Sequence, residues 1–281
     1  MERMLIVYNA QKPGARECLG HVCPWVQKRL RTDLVELDDP AVRERLAAAD
    51  LVVVLGGDGS ILRVARLLGG REVPVVGINL GKLGYLADFT AEEFCDRFGD
   101  IVAGHAPISR RRMLAVHWET AAAHDGECVA LNDVYLTGGQ SHRMVAVRAA
   151  IDGRDLTTYV GDGVVVSTPT GSTAYGLAAG GPILLPDLDA LVLVPVCPHS
   201  LTHRPIVIQP DSEVLLVPVD LQKEAVCVVD GQEVVRLQEG DPVRIRGAKT
   251  GFLLVQSGRR ADFALLREKL HWGQALRYKS K

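Results

Sequence analysis

The sequence predicts an α/β domain with a parallel, Rossmann-like sheet, then a β-rich, β-sandwich-like domain and a C-terminal helix that returns to the first domain. Three observations lead to this prediction. Apolar runs alternate with helix-like segments up to about residue 105, short strand-like runs follow up to residue 256, and helical spacing resumes over residues 262–270. We therefore expect domains at residues 1–104 and 105–256, with residues 257–281 packing back on the first.

The composition is that of a globular protein. The chain has 281 residues, of which 47% are hydrophobic and 23% are charged, and its formal net charge is −2. No apolar run approaches the roughly 18 residues of a membrane helix, and the N-terminus lacks a signal-peptide core. Six scattered cysteines without a Cys-x-x-Cys pair are typical of reduced thiols. We expect a cytoplasmic protein that binds neither nucleic acid nor membrane.

The first region alternates strands and helices, which favours a parallel sheet covered by helices on both faces. Pro24 predicts a break inside the first helix. Ligands of such sheets bind at the carboxyl ends of the strands, so the loops at residues 56–60 and 79–85 should share one crevice. The predicted strands lie at residues 4–8, 34–37, 51–55 and 73–79, and the first two helices at residues 14–31 and 41–49.

The second region contains ten strand-like runs. Turn signals such as Asp152-Gly153 and Asp230-Gly231 separate them, which is typical of antiparallel β-structure. The runs lie at residues 112–119, 128–137, 144–152, 163–167, 190–196, 205–208, 214–217, 225–229, 242–246 and 252–256.

Residues 51–68, LVVVLGGDGSILRVARLL, form the first concentrated signal. A strand buried on both faces is followed by a glycine loop and a helix, with Ser60 as the candidate N-cap. Free N–H groups and the positive helix end would meet there and could hold a phosphate. The candidate phosphate-binding residues are Gly56, Gly57, Gly59 and Ser60.

Asp58 lies within this loop, where a carboxylate would repel a phosphate. The repulsion is removed if a metal ion bridges the two groups or if Asp58 faces the group that attacks phosphorus. Both alternatives indicate phosphoryl transfer. A plain strand-to-helix turn without a ligand is the structural alternative.

Residues 161–182, GDGVVVSTPTGSTAYGLAAGGP, form the second signal. A buried strand runs into a loop rich in hydroxyl groups and small residues, and a short helix over residues 174–179 follows. Small side chains let a ligand touch the backbone, and hydroxyl and N–H groups can bond sugar or phosphate. A hydroxyl-rich structural turn is the alternative. Cys197, His199 and His203 lack a second ligand pair at a usable spacing, so we assign no metal site.

Together these motifs resemble those of the NAD kinase family. Gly-Gly-Asp-Gly-Ser at residues 56–60 looks like that family's Gly-Gly-Asp-Gly-Thr/Ser motif, and Asn132 and Asp133 look like its Asn-Glu/Asp pair. The stretch at residues 161–182 is similar to its long glycine-rich signature. Further agreement comes from INLGKLGYLADF at 78–89, CPHSLTHRPIVI at 197–208 and LREKLHWG at 266–273.

The resemblance implies transfer of the terminal phosphate of ATP or polyphosphate to the 2′-hydroxyl of the adenosine ribose of NAD, with Mg²⁺ or another divalent ion. It also implies a homo-oligomer, a dimer or tetramer. Asp58 matches the proposed catalytic acid/base. The residues that match NAD contacts are Asp58, Gly59, Asn132, Asp133, Asp162, Thr173, Ala174, Tyr175, Gly176, Leu177 and Ala178, with Arg143 and Gln232 as weaker matches.

Ser60, Asp133 and Ala178 depart from the commoner Thr, Glu and Ser of the family, which leaves substrate details open. Two alternatives also stay open. The chain resembles, through Gly-Gly-Asp-Gly alone, sugar and lipid kinases, and it could be a nucleotide sensor without turnover. A carboxylate beside phosphate argues against the sensor, because binding alone would be better without it.

Overall fold

The structure, a computed structural model, describes residues 2–81, 84–121, 124–139, 144–219, 224–258 and 262–271. The predicted fold class is confirmed, with a parallel α/β first region and an antiparallel β-rich second region. Lys82, Leu83, Arg143 and the end of the 266–273 motif lie outside the described residues. Within those ranges, no helix has the length and apolar character that a membrane crossing requires.

A parallel four-stranded sheet with two helices on each face forms the first region. Leu51, Val53 and Leu55 of its central strand pack towards one face, and the residues between them pack towards the other, as a doubly covered strand requires. The strands are β1 (Arg3–Tyr8), β2 (Arg31–Glu36), β3 (Leu51–Gly56) and β4 (Val75–Asn79), in the order β2-β1-β3-β4. The helices are α1 (Ala15–Val26), α2 (Val42–Ala47), α3 (Asp58–Leu68) and α4 (Ala91–Val102).

The first helix continues through Pro24, so the predicted break inside it is wrong. α1 ends soon after the proline, at Val26, and not near residue 31. The missing N–H and the crowding of the proline ring therefore fall in the last turn, where few further helical bonds can be lost. Cys18, Val22 and Val26 are buried at i, i+4 spacing and hold the helix on the sheet.

Two sheets packed face to face form the second region, as expected for a β-sandwich. Leu114 and Val147 from one sheet and Leu136 and Val166 from the other share one buried core. The strands described there are β5 (Ile108–Trp118), β6 (Gly126–Ala130), β7 (Asp133–Gly138), β8 (Val145–Ile151), β9 (Arg154–Gly161), β10 (Gly163–Ser167), β11 (Leu191–Val196), β12 (Ile206–Ile208), β13 (Val214–Val219), β14 (Ala225–Val229), β15 (Glu233–Leu237) and β16 (Val243–Val255).

The long strand β16 connects the two regions. Near one end Leu254 pairs in parallel with Val75 of β4, and at the other end residues 243–245 pair antiparallel with β13. β5 pairs antiparallel with β16 along its length. The larger sheet is therefore continuous across the predicted boundary at residue 104, in the order β2-β1-β3-β4-β16-β13-β8-β9, and β5 pairs with β16 and β6. The second sheet has the order β12-β11-β10-β7-β14-β15. The division into domains stays a prediction.

Several predicted strands differ in detail. Residues 128–137 were expected to form one strand, but β6 and β7 are separated at Leu131 and Asn132. Residues 242–246 and 252–256 belong to the single strand β16, whose pairing is irregular between Gly247 and Gly251. β9 and β15 are absent from the prediction. Both are edge strands with mostly exposed residues, so they lack the apolar alternation that marks a strand in sequence.

The last two helices lie near the hydroxyl-rich loop. A 3₁₀ turn (Gly171–Thr173) leads into the short helix α5 (Tyr175–Ala178), and α6 (Asp262–Leu270) follows β16. Leu265 and Leu266 of α6 line a cavity of about 40 Å³ whose other walls include Tyr85 from the first region and Leu184 from the second. The C-terminal helix therefore contacts a cavity shared by both regions.

We predict that Gly77→Ala destabilises the protein by about 1–3 kcal/mol, the usual cost of overpacking. A methyl group at Gly77 in β4 would lie 2.5 Å from the Cδ1 atom of Ile61 and 2.9 Å from the Cα atom of Ala87. Gly20→Ala in α1 is the control, because a methyl group there meets nothing within 4 Å and alanine favours the helix by up to about 1 kcal/mol. Urea unfolding followed by circular dichroism measures both, and equal stabilities would contradict the packing argument.

Candidate functional site

The loop after β3 leads directly into α3, with Gly57 as the N-cap. The predicted cap, Ser60, is wrong: it lies in the first helical turn, its N–H donates to the carbonyl of Gly57 at 2.9 Å, and it is buried. A methyl group on Gly56 would lie 2.4 Å from the Oγ atom of Ser60, so this serine packs under the loop. The start of the helix nevertheless presents main-chain N–H groups, as an anion site requires.

The carboxylate of Asp58 is held by the segment that follows β4. Its Oδ2 atom accepts the N–H of Tyr85 at 2.8 Å, and its Oδ1 atom accepts those of Leu86 at 3.0 Å and Ala87 at 3.1 Å. A Cβ atom on Gly84 would lie only 1.9 Å from Oδ1, so this close approach needs glycine. The loops after β3 and β4 therefore contact each other, as predicted, and the shared crevice stays a prediction.

This hydrogen bonding leaves the carboxylate partly available. Each carboxylate oxygen can accept about two hydrogen bonds, so Oδ1 of Asp58 is fully used and Oδ2 keeps one acceptor position. The side chain is half-buried, and its orientation is fixed by main-chain donors that cannot rotate away. Asp58 can therefore present one oriented acceptor to a ligand without rearranging the loop.

Asn132 and Asp133 lie where the chain passes from β6 to β7, in the second region. The Asp133 side chain is buried and accepts the N–H of Tyr175, and it lies beside the buried carboxylate of Asp230. Burial and, to a smaller extent, the charge on Asp230 together raise the pKa of Asp133 to about 7, against the opposing effect of the Tyr175 N–H. Asp133 is thus poised to change charge near neutral pH.

Asp230 occupies a different environment, although it is equally buried. Its carboxylate accepts the N–H groups of Leu131 at 2.9 Å, Asn132 at 2.8 Å and Asp133 at 3.2 Å. Burial raises the pKa of Asp230, and these three N–H groups oppose that effect. Two negative charges side by side in a buried site repel each other strongly, so only one of the two carboxylates is ionised. We assign the charge to Asp230, which accepts three N–H groups, and the proton to Asp133.

The hydroxyl groups of the second glycine-rich stretch hold the loop itself. Thr168 donates through Oγ1 to the carbonyl of Leu131 at 2.6 Å, and Ser172 donates through Oγ to that of Pro169 at 2.7 Å. The structural reading is therefore correct for these two residues. The ligand-accessible part is α5, where Tyr175 is 37% exposed and its ring lies 4.7 Å from that of Tyr135.

The predicted site residues fall into two groups, and the turn that carries Gln232 contacts both of them. Asp58 and Gly59 lie at the start of α3, and Asn132, Asp133 and residues 173–178 lie together at the ends of β6 and β10. Gln232, in the turn after β14, donates through Nε2 to the carbonyl of Gly59 at 2.8 Å. Asp162 is exposed, and its hydrogen bond with the Cys197 thiol raises the pKa of that thiol. Arg143 lies outside the described residues.

Sequence reasoning missed three residues of this site. Gly84 and Tyr85 were predicted only as parts of the 79–85 loop and of the 78–89 motif, with no role of their own, and Asp230 was predicted only as a turn signal. An aspartate followed by glycine is so common in hairpins that its sequence does not distinguish a buried acceptor from a surface turn. Among the described residues, no three His, Cys, Asp or Glu side chains converge as metal ligands would.

Comparison with known proteins identifies a family. The model of the ATP-NAD kinase N-terminal domain matches residues 16–106, and that of the ATP-NAD kinase C-terminal domain matches residues 131–257. The NAD kinase of Geotalea daltonii is 43% identical over 98% of this chain and 100% of its own length. That of Heliobacterium modesticaldum is 40% identical over 96% of this chain and 98% of its own.

Solved structures give the same result. Yeast NADH kinase complexed with NADH is similar with a TM-score of 0.90 and 25% identity, covering 100% of this chain and 90% of that one. An NAD kinase from Archaeoglobus fulgidus in complex with ATP has a TM-score of 0.78 and 25% identity, covering 96% and 98%. A sugar kinase, a lipid kinase and a sensor without turnover are therefore not favoured. The chain belongs to the NAD kinase family, and it is a phosphotransferase with an alcohol group as acceptor.

Proposed function

We propose that NAD binds in the crevice between α3 and the end of β6, with the 2′-hydroxyl of its adenosine ribose facing Asp58. The observation that carries this proposal is the docked carboxylate of Asp58, which is fixed by three main-chain N–H groups and keeps one acceptor position on Oδ2. The similar yeast and archaeal structures hold NADH and ATP, which supports a dinucleotide and ATP as ligands here.

In this proposal Asp58 orients the ribose hydroxyl and accepts its proton. A ribose hydroxyl is a poor nucleophile at neutral pH, so a carboxylate within hydrogen-bonding distance aids attack. The bond from the 2′-oxygen to the terminal phosphorus of ATP forms, and the bond from that phosphorus to its bridging oxygen breaks. The proton passes from the hydroxyl to Oδ2 of Asp58. The main-chain N–H groups of Gly57 and Gly59, at the start of α3, would bind the phosphoryl oxygens.

A Mg²⁺ ion fits this site. Mg²⁺ is usually bound by one or two carboxylates together with substrate phosphates, and Asp58 retains one acceptor position beside a helix N-terminus. Asp58 would hold the ion through Oδ2, and the ion would neutralise charge on the phosphates. The roles of base and metal ligand compete for the same position, so a substitution can distinguish them.

We also propose that the adenosine side of NAD contacts the second region. Asn132 and Asp133 lie at the strand end, and the exposed face of Tyr175 can cover a ribose or base. The proposed NAD contacts are Asp58, Gly59, Asn132, Asp133, Asp162, Thr173, Ala174, Tyr175, Gly176, Leu177 and Ala178. Family resemblance further supports a homo-oligomer, and the six free thiols fit the reducing cytoplasm.

We predict that Asp58→Asn lowers kcat by roughly 10²–10⁴-fold and leaves NAD affinity comparatively intact, because general-base catalysis typically contributes that much. The assay measures NADP formed from NAD with Mg²⁺ and either ATP or polyphosphate, which also identifies the donor. Calorimetric titration with NAD measures the affinity. If the main loss is in ATP affinity and higher Mg²⁺ restores it, Asp58 is the metal ligand.

Gly84→Ala is the matched variant for this test. It keeps the carboxylate but forces it away from the 85–87 segment, so it should also lower kcat if orientation matters. Gly81→Ala is the control in the same loop, since a methyl group there meets nothing within 4 Å. Near-wild-type turnover in a folded Asp58→Asn protein would refute both proposed roles.

We predict that Asp133→Asn stabilises the protein at pH 8 relative to wild type, and less so at pH 4. The folded pKa of Asp133 is about 7 and the unfolded one about 3.9, so the folded state keeps a proton that the unfolded state loses between these values. Wild-type stability from this group therefore falls as pH rises from about 4 to 7, and then stays level. Asparagine removes that loss, which is on the order of 4 kcal/mol for a pKa difference of about 3 at about 1.36 kcal/mol per unit.

Urea unfolding of both proteins without ligand, at pH 4, 6 and 8, measures the difference. Asp155→Asn, which removes an exposed carboxylate from β9, controls for the change in net charge. A stability difference that does not grow between pH 4 and 8 would show that Asp133 is not the protonated member of the pair.

A further inference from the structure

We propose that the 230–232 turn positions the two halves of the site relative to each other, and that Gln232 is a positioning residue for phosphoryl transfer. The turn joins β14 to β15 and lies in the second region. This inference rests on the proposed roles of Asp58 and Asp133. It assigns to Gln232 a role that differs from the direct NAD contact implied by family resemblance.

One end of the turn fixes the strand end that carries Asn132 and Asp133. The Asp230 carboxylate accepts three successive main-chain N–H groups, from residues 131, 132 and 133, at 2.8–3.2 Å. The N–H of Asp230 in turn donates to the carbonyl of Asp133 at 2.9 Å. Asp230 is only 6% exposed, so water does not compete well for these bonds. The main chain of this segment is therefore tied to the turn.

The other end of the turn holds the glycine loop and α3. The Nε2 atom of Gln232 donates to the carbonyl of Gly59 at 2.8 Å, and its Oε1 atom accepts from Nη2 of Arg66 at 3.1 Å. Both ends of the side-chain amide are thus engaged by the first region. Gly59 is the residue next to Asp58, so this contact bears directly on the loop that holds the proposed base.

The two anchors are rigidly joined, because only Gly231 separates them. Asp230 and Gly231 have φ values of 50° and 65°, and the N–H of Gln232 donates to the carbonyl of Val229 at 3.0 Å. Positive φ at both central residues is the conformation of a tight hairpin turn with Asp-Gly. The turn therefore fixes the distance between the strand end at Asn132 and Asp133 and the loop at Gly59.

The Gln232 contacts should affect the rate of phosphoryl transfer more than the binding of either substrate. A displacement of about 1 Å between the attacking hydroxyl and the phosphorus can cost about 10²-fold in rate, whereas each substrate keeps its own contacts. Loss of the Gln232 bonds should therefore lower kcat and change the Michaelis constants little. A direct NAD contact would behave in the opposite way, with a raised Michaelis constant for NAD and an unchanged kcat.

The test uses Gln232→Met, which has a similar length but makes neither bond, and Gln232→Glu, which keeps the acceptor for Arg66 but loses the donor to Gly59. We expect both variants to lower kcat about 10- to 100-fold, with the Michaelis constants for NAD and ATP within about twofold of wild type. Arg236→Gln, at an exposed position of β15, is the control and should keep wild-type kcat.

Circular dichroism and unfolding midpoints establish whether each variant is folded. If one of the two Gln232 variants does not fold, the other still provides the test. Wild-type kcat in both variants, or a change confined to the NAD Michaelis constant, would overturn the proposal. Full activity of Gln232→Glu alone would overturn the role of the Gly59 contact. If the wild-type protein formed no NADP, the proposed function itself would fail, which is a separate outcome.

Discussion

The geometry of the site depends on the contact between the Asp58 carboxylate and the main chain of residues 85–87. Three N–H groups from consecutive residues orient one side chain, and this contact also ties the loop after β3 to the loop after β4. These main-chain donors are held in place, because both loops begin at the ends of strands that are buried on both faces of the sheet. The sheet therefore determines where the Asp58 carboxylate lies.

The glycines and hydroxyls of the two signature stretches serve different purposes. In the first stretch, absent side chains allow close approach, as when Ser60 packs beneath Gly56. In the second stretch, the hydroxyl groups of Thr168 and Ser172 donate to main-chain carbonyls and so stabilise the loop itself. Main-chain groups and Tyr175 remain available for a ligand. A loop rich in hydroxyl groups therefore predicts an ordered loop more reliably than it predicts which atoms contact a ligand.

Much of the fold could be predicted from the sequence, because buried strands such as β3 and β10 are continuous apolar runs. The edge strands β9 and β15 could not, since one or both of their faces are exposed and their composition resembles that of a loop. Within the site, Asp58 stood out because a carboxylate in a glycine loop is unusual. Asp230 did not, because its importance comes from three N–H groups about a hundred residues earlier in the chain, and no local pattern records such contacts.

The pairing of β16 with β4 has a consequence for synthesis of the chain. The four parallel strands of the first region are made first, and Phe89 pairs early with residues 77–79 at the end of β4, yet the strand that pairs with Val75 comes near the end of the chain. Until residue 254 has left the ribosome, the Val75 end of this edge lacks its partner and can bond to another extended segment. The nascent first region is therefore most exposed to aggregation while the whole sandwich is being translated, and its completion is a late, long-range step.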